Sequence, residues 1–69
     1  MLIARLTKII GGGTKTTLTE WSSWETVIRF SEHMSRRDDV IKIEIENYIN
    51  DPEGYAIYRN GVLTDGYIS

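Results

Sequence analysis

From Val40 to Ile49 the chain alternates apolar and polar side chains, with Ile41, Ile43 and Ile45 set against Lys42, Glu44 and Glu46. A repeat of two marks an extended strand, because successive side chains leave it on opposite faces. One face of the sheet that holds this strand must be core, and the other must meet solvent or a partner. The outward register runs on to Tyr48 rather than to another charge, so the second face is itself partly apolar.

The flanking segments supply the rest of a sheet. Leu2, Ala4 and Leu6 alternate with Ile3, Arg5 and Thr7 and predict a strand to about Ile10, where Gly11, Gly12 and Gly13 suit a hairpin connection. Thr14 to Thr19 has the β-branched composition of an edge strand, with Leu18 its apolar member. The period then changes to that of a helix. Trp24, Val27, Ile28, Phe30 and Met34 share one sector, and Glu25, Arg29, Glu32, His33 and Arg36 lie opposite. Ser22 with Glu25 makes a capping box, or Ser23 caps in its place. Glu25 with Arg29 and Glu32 with Arg36 are i,i+4 pairs in the favourable order, and Arg36 and Arg37 suit the negative end of the helix dipole, so the helix is expected to stop near Arg37 or Asp38.

After the Val40 strand, Asn50, Asp51, Pro52, Glu53 and Gly54 read as a turn, and Tyr55 to Arg59 as a strand. Asn60 and Gly61 are the strongest hairpin dipeptide and should return Val62 to about Thr64 as a further strand, with Asp65 and Gly66 allowing one more bend before Tyr67 and Ile68. The expected fold is α+β in the order β-β-α-β-β-β: a four- to five-stranded antiparallel sheet with one helix packed on one face, forming a single domain over residues 1–69.

A chain of 69 residues buries only about 60% of the surface its unfolded form exposes. It has no cysteine for a disulfide and one histidine, too few for a structural zinc site. Self-association or an unusually regular sheet and helix must supply the missing stability. The lack of cysteine fits a reducing interior. Arg5 and Lys8 interrupt the first ten residues, which suit neither a signal peptide nor a membrane span, so a soluble cytoplasmic protein with no membrane partner is expected.

The net charge of −2 is unevenly distributed. Arg5, Lys8, Lys15, Arg29, Arg36 and Arg37 face only Glu20, Glu25 and Glu32 in residues 1–37, a balance of +3. Residues 38–69 hold Asp38, Asp39, Glu44, Glu46, Asp51, Glu53 and Asp65 against Lys42 and Arg59, a balance of −5. Such charge solvates a small domain, and it can also steer a partner or a second copy.

The residues do not assemble a reaction centre. GGGTKTT at Gly11–Thr17 departs from the phosphate-loop pattern because Thr14 precedes Lys15, and it leads into a strand where that motif needs a helix. His33 sits on the polar helix face without a nucleophile motif. Asp38 and Asp39 lack calcium-loop spacing, and Glu44 and Glu46 read as solubility charges. No catalytic residue, metal or cofactor is expected. Nucleic-acid binding is disfavoured by the sequence pI near 5.2 and by the acids beside Tyr48. The converse, an acidic mimic of a nucleic-acid backbone built from Asp38, Asp39, Glu44, Glu46, Asp51 and Glu53, is a minor alternative.

A five-residue loop at Asn50–Gly54 would set Ile49 opposite Tyr55 and Glu46 opposite Tyr58. Ile43, Ile45, Ile49, Tyr55 and Ile57 then lie beneath the helix, while Tyr48, Tyr58 and Leu63 form an apolar patch on the open face with Glu44 and Glu46 at its margin. That composition suits an interface centre and rim. The expected function is a non-enzymatic interaction module, assembling with itself (a dimer first) through this face or capping a protein partner. On this register Tyr58→Glu would weaken assembly and leave the helix intact. From another class comes an oligomeric protein that sequesters a nucleotide or other small molecule. There Trp21, Trp24 or Tyr67 would stack on a planar ligand, with Arg36, Arg37 or Lys15 on its phosphate; the plainer role of both tryptophans is core. In class, though through no residue motif, the chain resembles the small acidic α+β inhibitors of host enzymes frequent in phage and mobile elements.

Overall fold

The alternating segments form five strands and the 3.6-period segment forms one helix: β1 (Leu2–Ile10), β2 (Gly13–Trp21), α1 (Trp24–Met34), β3 (Val40–Asn47), β4 (Gly54–Arg59) and β5 (Val62–Ile68). The computed structural model describes residues 1–47 and 54–68. Every strand pairing is antiparallel, and the order across the sheet is β2-β1-β3-β4-β5. Thus β2 and β5 are the edges, and β1 lies beside β3.

Simple dimensions show what one helix can cover. Five strands about 4.8 Å apart span about 19 Å, and nine residues extend about 30 Å along a strand. An eleven-residue helix is about 16 Å long and about 10 Å wide. It covers the middle of one face and leaves the other face open. Leu2, Ala4, Val27, Ile43, Ile45, Ala56 and Tyr58 form the buried core, flanked by Leu6, Trp21, Trp24, Ile28, Phe30, Met34 and Val40.

Small residues let the helix approach the sheet. Ala4, Ile45, Ala56 and Gly66 are aligned across β1, β3, β4 and β5, and above the sheet the helix buries Val27 and Ser31. Ser35, the next residue on this seam at spacing of four, is also buried and closes the helix. Its carbonyl accepts the Asn60 N–H at 3.1 Å and its hydroxyl accepts the Gly61 N–H at 2.8 Å. The helix end is thereby fastened to the β4–β5 turn, where Asn60 and Gly61 take φ of 52° and 81°, the left-handed pair that a two-residue I′ hairpin requires.

Several expectations change. The helix ends at Met34 rather than near Arg37 or Asp38, since the chain turns at Ser35 to meet the hairpin. Ser23 occupies the N-cap position without a side-chain cap bond, so no capping box forms; Glu25 instead pairs with Arg29 at 2.7 Å. Ile41 is 38% exposed, because the β1–β3 register shifts between Thr7 and Lys8 and sets Val40, not Ile41, opposite Lys8. The expected bend at Asp65–Gly66 lies within β5.

The largest correction concerns β4. Glu46 stands opposite Tyr55 and Ile43 opposite Tyr58, whereas a five-residue loop would have set Glu46 opposite Tyr58. A displacement of three residues is odd, and an odd displacement exchanges the faces of a strand. Tyr58 is therefore in the core at 4% exposure, and Leu63 opposite it shares the helix side. Tyr55 and Ile57, expected under the helix, lie on the open face. Tyr48, Ile49 and the turn residues Asn50 to Glu53 lie outside the described residues.

Candidate interaction face

The open face is built from the strand positions that alternate with the core. Antiparallel pairing aligns Glu20, Ile3, Glu46 and Tyr55 in one row across the sheet, and Leu18, Arg5, Glu44, Ile57 and Asp65 in the next. Apolar and charged residues are interleaved. Leu18 is 61% exposed and Tyr55 37%, while Ile3 and Ile57 are half-buried by their neighbours.

The expected acidic margin is present but neutralised. Glu46 accepts a hydrogen bond from the Arg5 guanidinium across β1–β3, and Glu44 pairs with Lys42 at 3.3 Å. Arg5 of the basic half and Glu46 of the acidic half thus meet side by side across β1–β3, while Glu20 and Asp65, at the outer ends of the two rows, belong to neither pair. These pairs remain partly exposed and add little to stability. Tyr55 directs its hydroxyl to Asp65 Oδ1 at 3.5 Å. Opposite Tyr55 stands Tyr67, whose side chain lies outside the described residues.

The expected ligand-binding set is not gathered in one place. Trp21 packs on Phe30, with ring centroids 4.8 Å apart and planes at 40°, and donates its indole N–H to Thr19 Oγ1 at 2.8 Å. Trp24, the first residue of the helix, packs against the core. The Arg36 stem lies over the β4–β5 turn, so close that a Cβ on Gly61 would fall 2.8 Å from its Cγ. Arg37 points elsewhere, with Nε 3.4 Å from Asp39 Oδ1. It does border a groove of about 260 Å³ between the helix and β1–β2, lined by Leu6, Phe30, Met34 and Val40 with Lys8 and Thr17 at its side. Among the described residues, no three histidine, cysteine, aspartate or glutamate side chains cluster to hold a metal ion, and no helix is long and apolar enough to cross a membrane.

Burial shifts one ionisable group. The Tyr58 phenol is pushed above its ordinary value of 10.0, first by desolvation and then by the nearby charge of Glu32. The fold therefore favours the protonated phenol. Between the ordinary and the raised value the unfolded chain releases its proton while the folded chain keeps it, so this contribution is complete below pH about 10 and is lost above it. Urea midpoints should fall as pH is raised through about 10, and Tyr58→Phe should lessen that fall; an equal fall in both proteins would contradict the assignment.

Tyr55, Ile57, Ile3 and Leu18 are the surface residues that the apolar pattern alone did not bring together. Gly54, Ala56 and Tyr58 were the available signal: alternation sets the two small residues and Tyr58 on one side of β4, and that side is the buried one. No protein-family model, curated protein sequence or solved structure matches this chain.

Proposed function

We propose that this chain is a non-enzymatic interaction module that presents the open face of its sheet to a protein partner. The observation that carries this reading is the face itself: Ile3, Leu18, Tyr55 and Ile57 are interleaved with the Arg5–Glu46 and Lys42–Glu44 pairs, while Glu20 and Asp65 stand at the two edges of the sheet. A partner laid over the central strands of this surface meets apolar contact area beside Glu44 and Glu46, carboxylates already paired with cations, and so avoids the cost of burying them unpaired. The same pairing argues against use of Glu44 and Glu46 as a backbone mimic. An inhibitor that caps a protein surface is one form such a module takes.

The test is a binding measurement against partners recovered from the cells that express the chain. Tyr55→Glu should weaken the captured complex by about tenfold or more, the effect of a residue near an interface centre, while Arg29→Glu on the helix's solvent side leaves it unchanged. Unaltered affinity in Tyr55→Glu, with circular dichroism matching the parent, would refute the assignment.

The groove favours a second reading, sequestration of a small anionic molecule. Leu6, Phe30 and Met34 offer an apolar lining, Lys8 stands beside it, Arg37 borders it in a pair with Asp39, which also lines the groove, and Lys15 is opposite Lys8 across β1–β2.

A further inference from the structure

We infer that two copies of this chain join edge to edge through β2, antiparallel about a twofold axis at Leu18, to form one ten-stranded sheet. This inference rests on the edges of the sheet rather than on its open face.

The two edges are built differently. At β5 the pairing with β4 shifts between Ile57 and Tyr58, Thr64 turns its hydroxyl back to the Ile57 carbonyl at 3.1 Å, and Gly66 adopts φ of 117° with its N–H donated to Asp65 Oδ1 at 2.9 Å. A bulge, an inserted side-chain bond and a left-handed glycine are the devices that keep an edge from accepting another strand. β2 has none of them. It pairs with β1 through nine consecutive positions without a register shift, and Gly13 to Glu20 are exposed throughout. Lys15 and Glu20 are its charges, among four threonines and Leu18. A long, regular, sparsely charged edge of β-branched residues is a template for another strand.

Symmetry restricts the register. Antiparallel edges related by a twofold axis normal to the sheet bring together residues of the same face, so the axis passes through a residue. With the axis at Leu18, Leu18 meets Leu18 of the second copy, Thr17 meets Thr19, Thr16 meets Glu20 and Lys15 meets Trp21. No like charges stand opposite, and the most exposed apolar residue of the strand is covered by its own copy. An axis at Thr17 would instead set Leu18 against Thr16. With the axis at Leu18 both helices lie on the same side of the extended sheet, and the two grooves beside β2 face each other across the junction. Extending the sheet also answers the need for stabilisation that a chain without disulfide or zinc has.

The chain has no cysteine, so a single introduced thiol reports the junction. Residues directly opposite in an antiparallel pair have Cα atoms about 4.5–5.5 Å apart, within disulfide range. Leu18→Cys should give a covalent dimer under mild oxidation, whereas Thr14→Cys, eight positions from its own copy in this register, should stay monomeric. The parent protein should sediment at about 16 kDa, twice the 7.9 kDa of one chain, and Leu18→Lys, which sets two ammonium groups opposite at an exposed position, should raise the dimer dissociation constant about tenfold or more. The inference is overturned by a parent protein that stays at one-chain mass into the high micromolar range, by undiminished dimer in Leu18→Lys, or by equal cross-linking of Leu18→Cys and Thr14→Cys.

Discussion

Tyr58→Glu is expected to abolish the cooperative thermal transition of this protein. The ring is 4% exposed and belongs to the core beneath the helix, and truncating a buried aromatic residue costs about 3–5 kcal/mol. Glutamate adds a carboxylate that must be desolvated there or protonated. Glu32, whose charge already opposes ionisation of Tyr58, would oppose this one as well. A domain of this size without staples holds only about 3–5 kcal/mol in total, so the loss consumes the whole of its stability. Tyr58→Phe keeps the ring and should melt cooperatively, and Tyr55→Glu on the open face should retain the parent's helical circular dichroism. A folded Tyr58→Glu would place the residue outside the core and restore the register in which it marks a binding patch.

Gly66→Ala should be the next most damaging change. At φ of 117° any residue with a Cβ is strained, and a Cβ here would press on the Tyr55 carbonyl oxygen and come within 2.8 Å of Ala56 Cα. Both obstacles are backbone atoms of the paired strand and cannot rotate aside, so β5 must shift. Strain and overpacking together should cost at least about 2 kcal/mol, which lowers the melting temperature of a domain this small by about 8–16 °C. Gly11→Ala meets nothing within 4 Å and serves as the control; equal melting of the two variants would contradict the close approach of β5 to β4.

Element types and order were legible because each segment has one period and clear punctuation. The isoleucine alternation made β3, the i,i+3 and i,i+4 apolar sector made α1, and Asn60-Gly61 returned β5 on β4 with Arg59 opposite Val62. Threonine-rich β2 lies at the rim for the compositional reason given. Two kinds of information were not in the pattern. Bulges at Thr7–Lys8 and Ile57–Tyr58 depend on how neighbouring strands accommodate one another, and the first of them turns Ile41 out of the core. The face of β4 depends on a connection whose length composition does not set. Tyr55 and Ile57 are the inward pair by hydropathy, yet the helix seam of Val27, Ser31 and Ser35 is buried on the side of the sheet where β4 carries Ala56 and Tyr58. Serine at Ser31 and Ser35 concealed that seam, since residue size rather than polarity decided it. The candidate site inherited the error: Glu44 and Glu46 lie on the open face as expected, but Tyr58 and Leu63 belong to the helix side, and Tyr55 and Ile57 take their place.

Nuclear Overhauser contacts between backbone protons of β3 and β4 test this register most directly. The face assignment predicts cross-strand contacts pairing Ile43 with Tyr58 and Ile45 with Ala56. Contacts pairing Glu46 with Tyr58 and Asn47 with Ile57 would turn Tyr58 to the open side and contradict both the core and the interaction face described for this chain.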